Sequence, residues 1–325
     1  MAPTLAVDPH APDEAAIAEA ARILRAGGLV AFPTETVYGL GANALDEQAV
    51  ARIYAAKGRP SGNPLIVHVA DAAMARQVAA EWPDAAERLA TACWPGPLTL
   101  VLRRGPHIPA SVTAGLPAVG VRVPAHPVAL ALIRAAGVPI AAPSANPYTG
   151  VSPTTAAHVA AGLGDKVDLI LDGGAATVGL ESTVLDLTSA VPRVLRPGGM
   201  SLGRLRELLG EVAYEPITKA DDVALPSPGL AKRHYAPRAR VRILPDAAAV
   251  AREAARLERV GCWTFGPPPG EGVMMPREPE AYAARLYAEL HEADRRGWAH
   301  LLVEAPPQDD AWAAVHDRLR RAASS

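Results

Sequence analysis

Two cations straddle a glycine in the most chemically suggestive stretch of the chain, Lys57-Gly58-Arg59-Pro60-Ser61-Gly62-Asn63-Pro64, with His68 four residues on. A loop stiffened by Gly and Pro and holding two positive charges suits a polyphosphate. The plainer reading is that the cations only offset the negative end of a helix that Gly58 stops. Residue usage bears on the choice. Of the 32 basic residues only four are lysines, Lys57, Lys166, Lys219 and Lys232, so a retained lysine points to a need for an ammonium rather than a guanidinium. A second stretch, Pro143-Ser144-Ala145-Asn146, follows the apolar run Ile140–Ala142. Strand ends in open α/β sheets are where ligands bind, although Ser-x-Asn also serves ordinary turns. Gly120-Val121-Arg122-Val123-Pro124, Glu181-Ser182-Thr183 and Arg196-Pro197-Gly198 share this look, each setting a polar group at a strand terminus.

Two further stretches need separate treatment. Gly39-Leu40-Gly41-Ala42-Asn43-Ala44 formally matches GxGxxA, but a dinucleotide fold needs that turn to follow a strand directly and open a helix. Pro33-Thr34-Glu35-Thr36 intervenes, and Lys57 and Arg59 stand where an acidic residue is needed, so this reading is set aside. No GxxxxGK[ST] occurs either, which excludes a P-loop. The run Ser227-Pro228-Gly229 to His234-Tyr235-Ala236-Pro237 lies where five basic and no acidic residues separate Ala224 from Pro245. A solvated basic linker is the common explanation, yet a pure spacer seldom keeps aromatic groups.

The elements that must position these groups follow from caps and periodicity. Asp13 caps a helix over Glu14–Ala26, and Asp46 and Gly58 bound one near Glu47–Lys57. Helical stretches flank Pro83, another helix opens at Pro127, and one near Leu202–Leu209 closes the first unit at about Val212. Strands are expected at Leu29–Phe32, Leu65–Val69, Leu98–Leu102, Val119–Val123, Ile140–Ala142, Leu169–Leu171 and Thr183–Leu187. Helices and strands alternate without a strict βαβ rhythm, which predicts an α/β chain of α+β type with a twisted mixed sheet. After a linker, strands at Val241–Leu244, Val260–Phe265 and His300–Val303 and helices near Ala247–Leu257, Glu280–Arg296 and Ala311–Ala322 make a small α/β domain. The expected division is 1–212, a linker or lid over 213–240, and 241–325.

Composition limits the function. With 68 alanines and 4% aromatic residues, the core must rest on Val, Leu, Ile and Ala. A net charge of −2 excludes a polyelectrolyte, and residues 1–212 hold 16 basic and 18 acidic side chains, so no stable nucleic-acid binding is expected. Cys93 and Cys262 stand alone with no CxxC, which fits a reducing cytoplasm and offers no metal site. No apolar run reaches 18 residues and no leader peptide is evident, so neither membrane insertion nor export is expected.

Pro33-Thr34-Glu35-Thr36-Val37-Tyr38-Gly39-Leu40, then Lys57-x-Arg59, then Ser144-x-Asn146, resemble the YrdC-type threonylcarbamoyl-AMP synthases. The run Ser227-Pro228-Gly229 to His234-Tyr235-Ala236-Pro237 with a small domain after it resembles the long, two-domain form. The resemblance covers nearly the whole chain. It implies a YrdC-like twisted sheet with flanking helices, a Rossmann-like C-terminal domain, and synthesis of L-threonylcarbamoyladenylate and pyrophosphate from L-threonine, bicarbonate and ATP. The product would pass to a transferase complex that modifies tRNA. By position, the resemblance implies that Thr36, His68, Arg122, the Ala142 strand end and Ser182 contact threonine. It implies that Arg59, Asn63, the Ala118 neighbourhood, Ser144, Ser152, Arg196 and Tyr235 contact ATP, with Lys57 and Arg59 catalytic beside the phosphates.

That chemistry agrees with the residues. A carbamate attacking a triphosphate sets an anion against a polyanion, so fixed cations help more than an acid–base pair. Lys57, Arg59, Arg122 and Arg196 supply them, and Mg2+ is expected to arrive with ATP. The Ser227–Pro237 stretch is expected to fold over the cleft as a lid, with Tyr235 on the phosphates. The alternative function is a non-catalytic RNA-binding module.

Overall fold

We describe a computed structural model of the chain, which covers residues 1–215 and 234–324. Capping chemistry sets the helix that carries the Lys-Gly-Arg motif. The Asp46 side chain accepts from the backbone N–H groups of Gln48 and Ala49, and α2 (Glu47–Lys57) ends at Gly58, whose φ of 63° is left-handed. Lys57 and Arg59 therefore leave the helix end in different directions. The preceding elements are β1 (Thr4–Ala6), α1 (Glu14–Arg25), β2 (Val30–Phe32) and β3 (Gly39–Asn43). The Gly39–Asn43 run is thus a strand, antiparallel to β2, and no phosphate-binding turn. A Cβ at Gly41 would lie 2.8 Å from the Phe32 ring and 2.9 Å from Ile140, so its glycine serves packing.

The rest of the first unit comprises β4 (Ile66–His68), α3 (Ala72–Val78), α4 (Asp84–Cys93), β5 (Leu98–Arg103), β6 (Ala118–Arg122), α5 (Pro127–Ala136), β7 (Ile140–Ala141) and α6 (Ala156–Leu163). β8 (Leu169–Asp172), β9 (Thr183–Asp186), β10 (Arg193–Arg196), α7 (Leu202–Leu209) and β11 (Ala213–Tyr214) complete it. The strands form one mixed sheet in the order β1-β8-β2-β3-β7-β4-β6-β5-β9-β10-β11. Val50 and Ile53 of α2 and Val159 and Leu163 of α6 share a core with Leu40, Val67 and Val121. A second core joins Ile17 and Leu24 of α1 and Leu132 and Ile133 of α5 to Phe32 and Leu171. Burial of these mostly aliphatic side chains drives the assembly, with Phe32, Tyr38 and Tyr54 buried among them.

The second unit holds β12 (Arg240–Leu244), α8 (Ala247–Ala254), β13 (Val260–Thr264), β14 (Gly272–Met274), α9 (Pro279–Arg296), β15 (His300–Glu304) and α10 (Ala313–Ala323). Its sheet, ordered β12-β15-β13-β14, is parallel throughout. One apolar core joins Trp263, Tyr282, Leu286 and Trp312 of this unit to Val37, Val151 and Leu180 of the first, so the domains are packed together. Gly179, at φ 74°, lets the first domain's backbone reach α9, where a Cβ would fall 2.5 Å from the Ala284 Cα.

The sequence left β1, β3, α6, β10, β11 and β14 unassigned. The last helix begins at Ala313, after a 3-10 turn over Asp310–Trp312, rather than at Ala311. The first sheet also runs past Val212, because β11 pairs in parallel with β10. Ser227, Lys232 and Arg233, and most of the proposed lid, lie outside the described residues.

Candidate active site

Strand ends and the loops after them bring most of the singled-out residues into one cavity. It is lined by Thr34, Thr36, Arg59, His68, Arg122, Ala142, Ser144, Glu181, Ser182, Arg196, His234 and Tyr235, among others. Its free volume is about 50 Å³. A larger cavity, of about 200 Å³, lies between the domains behind Gly198 and Gly199, but no described Lys, Arg or His lines it. The chemistry therefore belongs to the smaller one.

One side of the cavity is built entirely by the first domain. β4 and β6 pair in parallel and set His68 beside Arg122 at their ends. The Arg122 guanidinium donates to the Thr36 hydroxyl at 2.9 Å and to the Gly96 carbonyl at 3.1 Å, and pairs with Glu35 at 2.7 Å. Thr34 and Thr36 share a hydroxyl–hydroxyl bond of 2.8 Å. Burial, reinforced by Arg122, pulls the His68 pKa down to about 3, so the ring is a neutral imidazole near pH 7. The Ser182 hydroxyl meets that of Thr99 at 2.8 Å. Gly198 allows the loop after Arg196 to lie on this strand start, since a Cβ there would be 2.3 Å from the Glu181 carbonyl oxygen.

The other side draws on both domains. Arg59, pulled down to a pKa of about 10 by burial, donates to the Asn63 side-chain oxygen at 2.6 Å and to the Pro64 carbonyl at 2.8 Å. Arg196 donates to the Ser182 carbonyl at 2.9 Å. Glu181 accepts from Ser152 at 2.6 Å, and from Tyr287 and Arg318 of the second domain at 2.8 Å each. Burial would raise its pKa, but Arg318 and then Arg196 hold it down at about 2. Tyr235 is buried with its ring 4.0 Å from that of His234 and 5.4 Å from that of Tyr287. The Ala236 N–H donates to the Thr149 carbonyl, which docks this segment on the first domain.

Nine of the expected residues thus line one cavity: Thr36, Arg59, His68, Arg122, Ala142, Ser144, Ser182, Arg196 and Tyr235. Four do not. Lys57 is only 4% exposed and donates to the carbonyls of Ser144 and Asn146, the first at 2.6 Å, so its ammonium anchors the Ser144 loop from behind. Burial, followed by Arg59, drives its pKa well down. The helix-end lysine is thus buried, and its bonds run to backbone carbonyls of the loop that carries Ser144. Asn63 and Ser152 back the cavity by bonding Arg59 and Glu181 respectively. Ala118 opens β6, four residues and about 13 Å of strand rise from Arg122, and packs against Val101, Val184 and Leu195. Tyr287 and Arg318 were not anticipated from the sequence, and Glu181 only as part of the Glu181-Ser182-Thr183 strand start. Only the position of Glu181 beside Ser182 offered a signal.

Residues 22–198 match the Sua5/YciO/YrdC family model described as "Telomere recombination", and residues 200–324 match the threonylcarbamoyl-AMP synthase C-terminal domain. The chain is 44% identical over 315 residues to the threonylcarbamoyl-AMP synthase of Pyrococcus abyssi, covering 93% of this chain and 92% of that one. It is 40% identical over 320 residues to the Bacillus subtilis protein of the same name, covering 94% and 92%. The crystal structure of P. abyssi Sua5 complexed with L-threonine superposes with a TM-score of 0.93 at 42% identity, covering 98% of this chain and 97% of that one.

Proposed function

This chain belongs to the Sua5/YciO/YrdC family in its two-domain form, and from that premise we propose that it makes L-threonylcarbamoyladenylate from L-threonine, bicarbonate and ATP, releasing pyrophosphate. The observation that carries the reading is the one cavity that brings Thr36, His68, Arg122 and Ser182 together with Arg59, Arg196 and Tyr235. The first group suits an amino acid: Arg122 offers a cation to the carboxylate, and Thr36 and Ser182 offer hydroxyls. Neutral His68 can bond an ammonium or hydroxyl without adding charge. The second group suits a nucleotide, with two guanidiniums for phosphates and a phenol beside them.

In the reaction, the threonine amine attacks the bicarbonate carbon and water leaves, giving a carbamate. A carbamate oxygen then attacks the α-phosphorus, the bond to the β-phosphate oxygen breaks, and pyrophosphate departs. The protein's part is to hold two anions in line and to offset the charge that develops. Magnesium enters as part of the MgATP substrate. Glu181 is the cavity's carboxylate among its described lining, and both its oxygens are already engaged, so the metal would rest on phosphates.

A free volume of about 50 Å³ is far below the roughly 300–1,000 Å³ of drug-sized sites, so nucleotide entry requires the His234–Tyr235 segment to shift. That segment would then exclude water from the reactive adenylate. The product would be consumed by a tRNA-modifying transferase complex, and the compartment would be the cytoplasm. Among the described residues no helix is long and apolar enough to cross a membrane. Purified protein given all three substrates should release pyrophosphate and form the mixed adenylate. Omitting threonine or bicarbonate should stop it, and undiminished pyrophosphate release without threonine would refute the reading.

A further inference from the structure

We propose that Arg318, a residue of the C-terminal domain, is a positioning residue for the nucleotide side of the cavity, which it serves by neutralising Glu181 and supporting the Tyr235 ring. The inference rests on the adenylate-forming reading above, and it gives the second domain a defined part in that chemistry.

Glu181 lines the cavity that must accept a triphosphate. A carboxylate there faces like charge at short range in a poorly solvated space, where such repulsion is strong. The first domain meets one of its oxygens through Ser152. The other is met across the domain boundary, by the Tyr287 hydroxyl and by Arg318 Nε, both at 2.8 Å. Arg318 lies 137 residues away in sequence and is fully buried on α10. Asp317 fixes its direction by accepting from Nη1 at 2.6 Å, and Arg321 in turn pairs with Asp317 at 2.9 Å. The guanidinium also lies 5.1 Å from the centroid of the Tyr235 ring, within cation–π range. A planar cation can hold a carboxylate at its edge while facing an aromatic ring, and a lysine could not do both.

A simpler role is that Arg318 only fastens the domains together. The two roles differ in what they disturb. A fastener, once lost, loosens the domain boundary and affects both substrates together. A neutralising group, once lost, weakens ATP binding while residue 181 carries its charge and leaves threonine little affected.

The test uses the full-length chain as Arg318→Met, Glu181→Gln and the double variant, with Arg318→Lys as the conservative control. Pyrophosphate release is measured against ATP and against threonine, ATP binding by calorimetry, and folding by thermal melting. Arg318→Met should raise the KM for ATP by about 10- to 100-fold and the threonine KM by less than about threefold. The double variant should return to within about threefold of Glu181→Gln alone. Fastening through the same ion pair would instead move the ATP and threonine KM values together. Arg318→Lys should lose less ATP affinity than Arg318→Met. A folded Arg318→Met with an unchanged ATP KM overturns the proposal, as does a double variant still about tenfold worse than Glu181→Gln. Should Arg318→Met fail to fold, the double variant and Arg318→Lys decide by the same comparison. If the wild-type chain releases no pyrophosphate, the reaction reading fails, while calorimetric ATP affinities across the four variants still judge Arg318.

Discussion

The wall that carries Thr36, His68, Arg122 and Ser182 comes from strand ends and loops of one sheet. The wall that carries Glu181 and Tyr235 is finished by Tyr287 and Arg318 from the other domain. In the first, Arg122 and Ser182 find their partners within the same folded unit: Arg122 has Glu35 and Thr36, and Ser182 has Thr99. In the second, a buried carboxylate depends on domain docking for both bonds at one of its two oxygens. A site assembled in this way can hold its sheet-built side ready while its other side responds to interface geometry. Damage to the first wall should therefore be specific to one substrate, and damage to the second should track domain contact.

The largest effect expected is at Lys57, which braces the Ser144 loop from behind. Lys57→Met leaves at least two buried carbonyl oxygens without a donor, at a cost of about 1–3 kcal/mol each. Both melting temperature and turnover should drop. Were turnover lost while the melting temperature held, Lys57 would act on substrate instead, and the sheet-built wall would contain a catalytic cation after all.

Legibility divides along the same line. The sheet-built wall was readable because its groups sit at the ends of short apolar runs. Caps such as Asp46 and the Gly58 stop fixed where those runs begin and end. β3 was missed because Gly39–Asn43 is made of small residues that carry no strand signal, and its fitness for the sheet comes from Phe32 and Ile140 crowding Gly41. β11 has only two residues, too short for any periodicity to mark. The interface wall was hidden for another reason. Asp317-Arg318-Leu319-Arg320-Arg321 reads as a solvated, charged helix face, and nothing local reveals that Asp317, Arg318 and Arg321 are buried. The burial of Lys57 was not legible because one spacing, a cation before a helix-ending glycine, fits both a surface charge and a buried anchor.

An intermediate effect should come from acid. His158 of α6 and His291 of α9 stack across the interface with centroids 3.8 Å apart. Burial, then His291, pulls His158 down to a pKa of about 4, and burial lowers His291 as well. A depressed histidine pKa means that the unfolded chain takes up protons first. The stability these rings lend is therefore complete above about pH 6.5 and is lost as pH falls toward 4. Discounted for partial exposure, the loss is on the order of 1–2 kcal/mol. His68, at about 3, stays neutral over that window, so threonine affinity should persist while the interface loosens. Melting curves from pH 7 to 4.5 should slope less steeply for His158→Phe than for wild type. Parallel slopes would mean that the stacked pair does not set the acid response.

The smallest effect belongs to Ser182, and it is the sharpest probe of the sheet-built wall. Its hydroxyl faces the cavity and already meets that of Thr99 at 2.8 Å. Ser182→Ala removes the long 3.4 Å bond from Arg196 to the hydroxyl, but the Ser182 carbonyl keeps its shorter one at 2.9 Å, so Arg196 stays in place. What the substrate loses is one neutral hydrogen bond, about 1 kcal/mol or roughly fivefold in affinity. If that hydroxyl orients threonine, the threonine KM should rise by this factor and the ATP KM should hardly move. Thr99→Val offers a control, because it removes the partner while leaving the Ser182 hydroxyl able to turn toward substrate. Its threonine KM should shift less than that of Ser182→Ala. Equal increases in both KM values for Ser182→Ala would place the residue between the two walls, and the division of the cavity into an amino-acid side and a nucleotide side would have to be redrawn at β9.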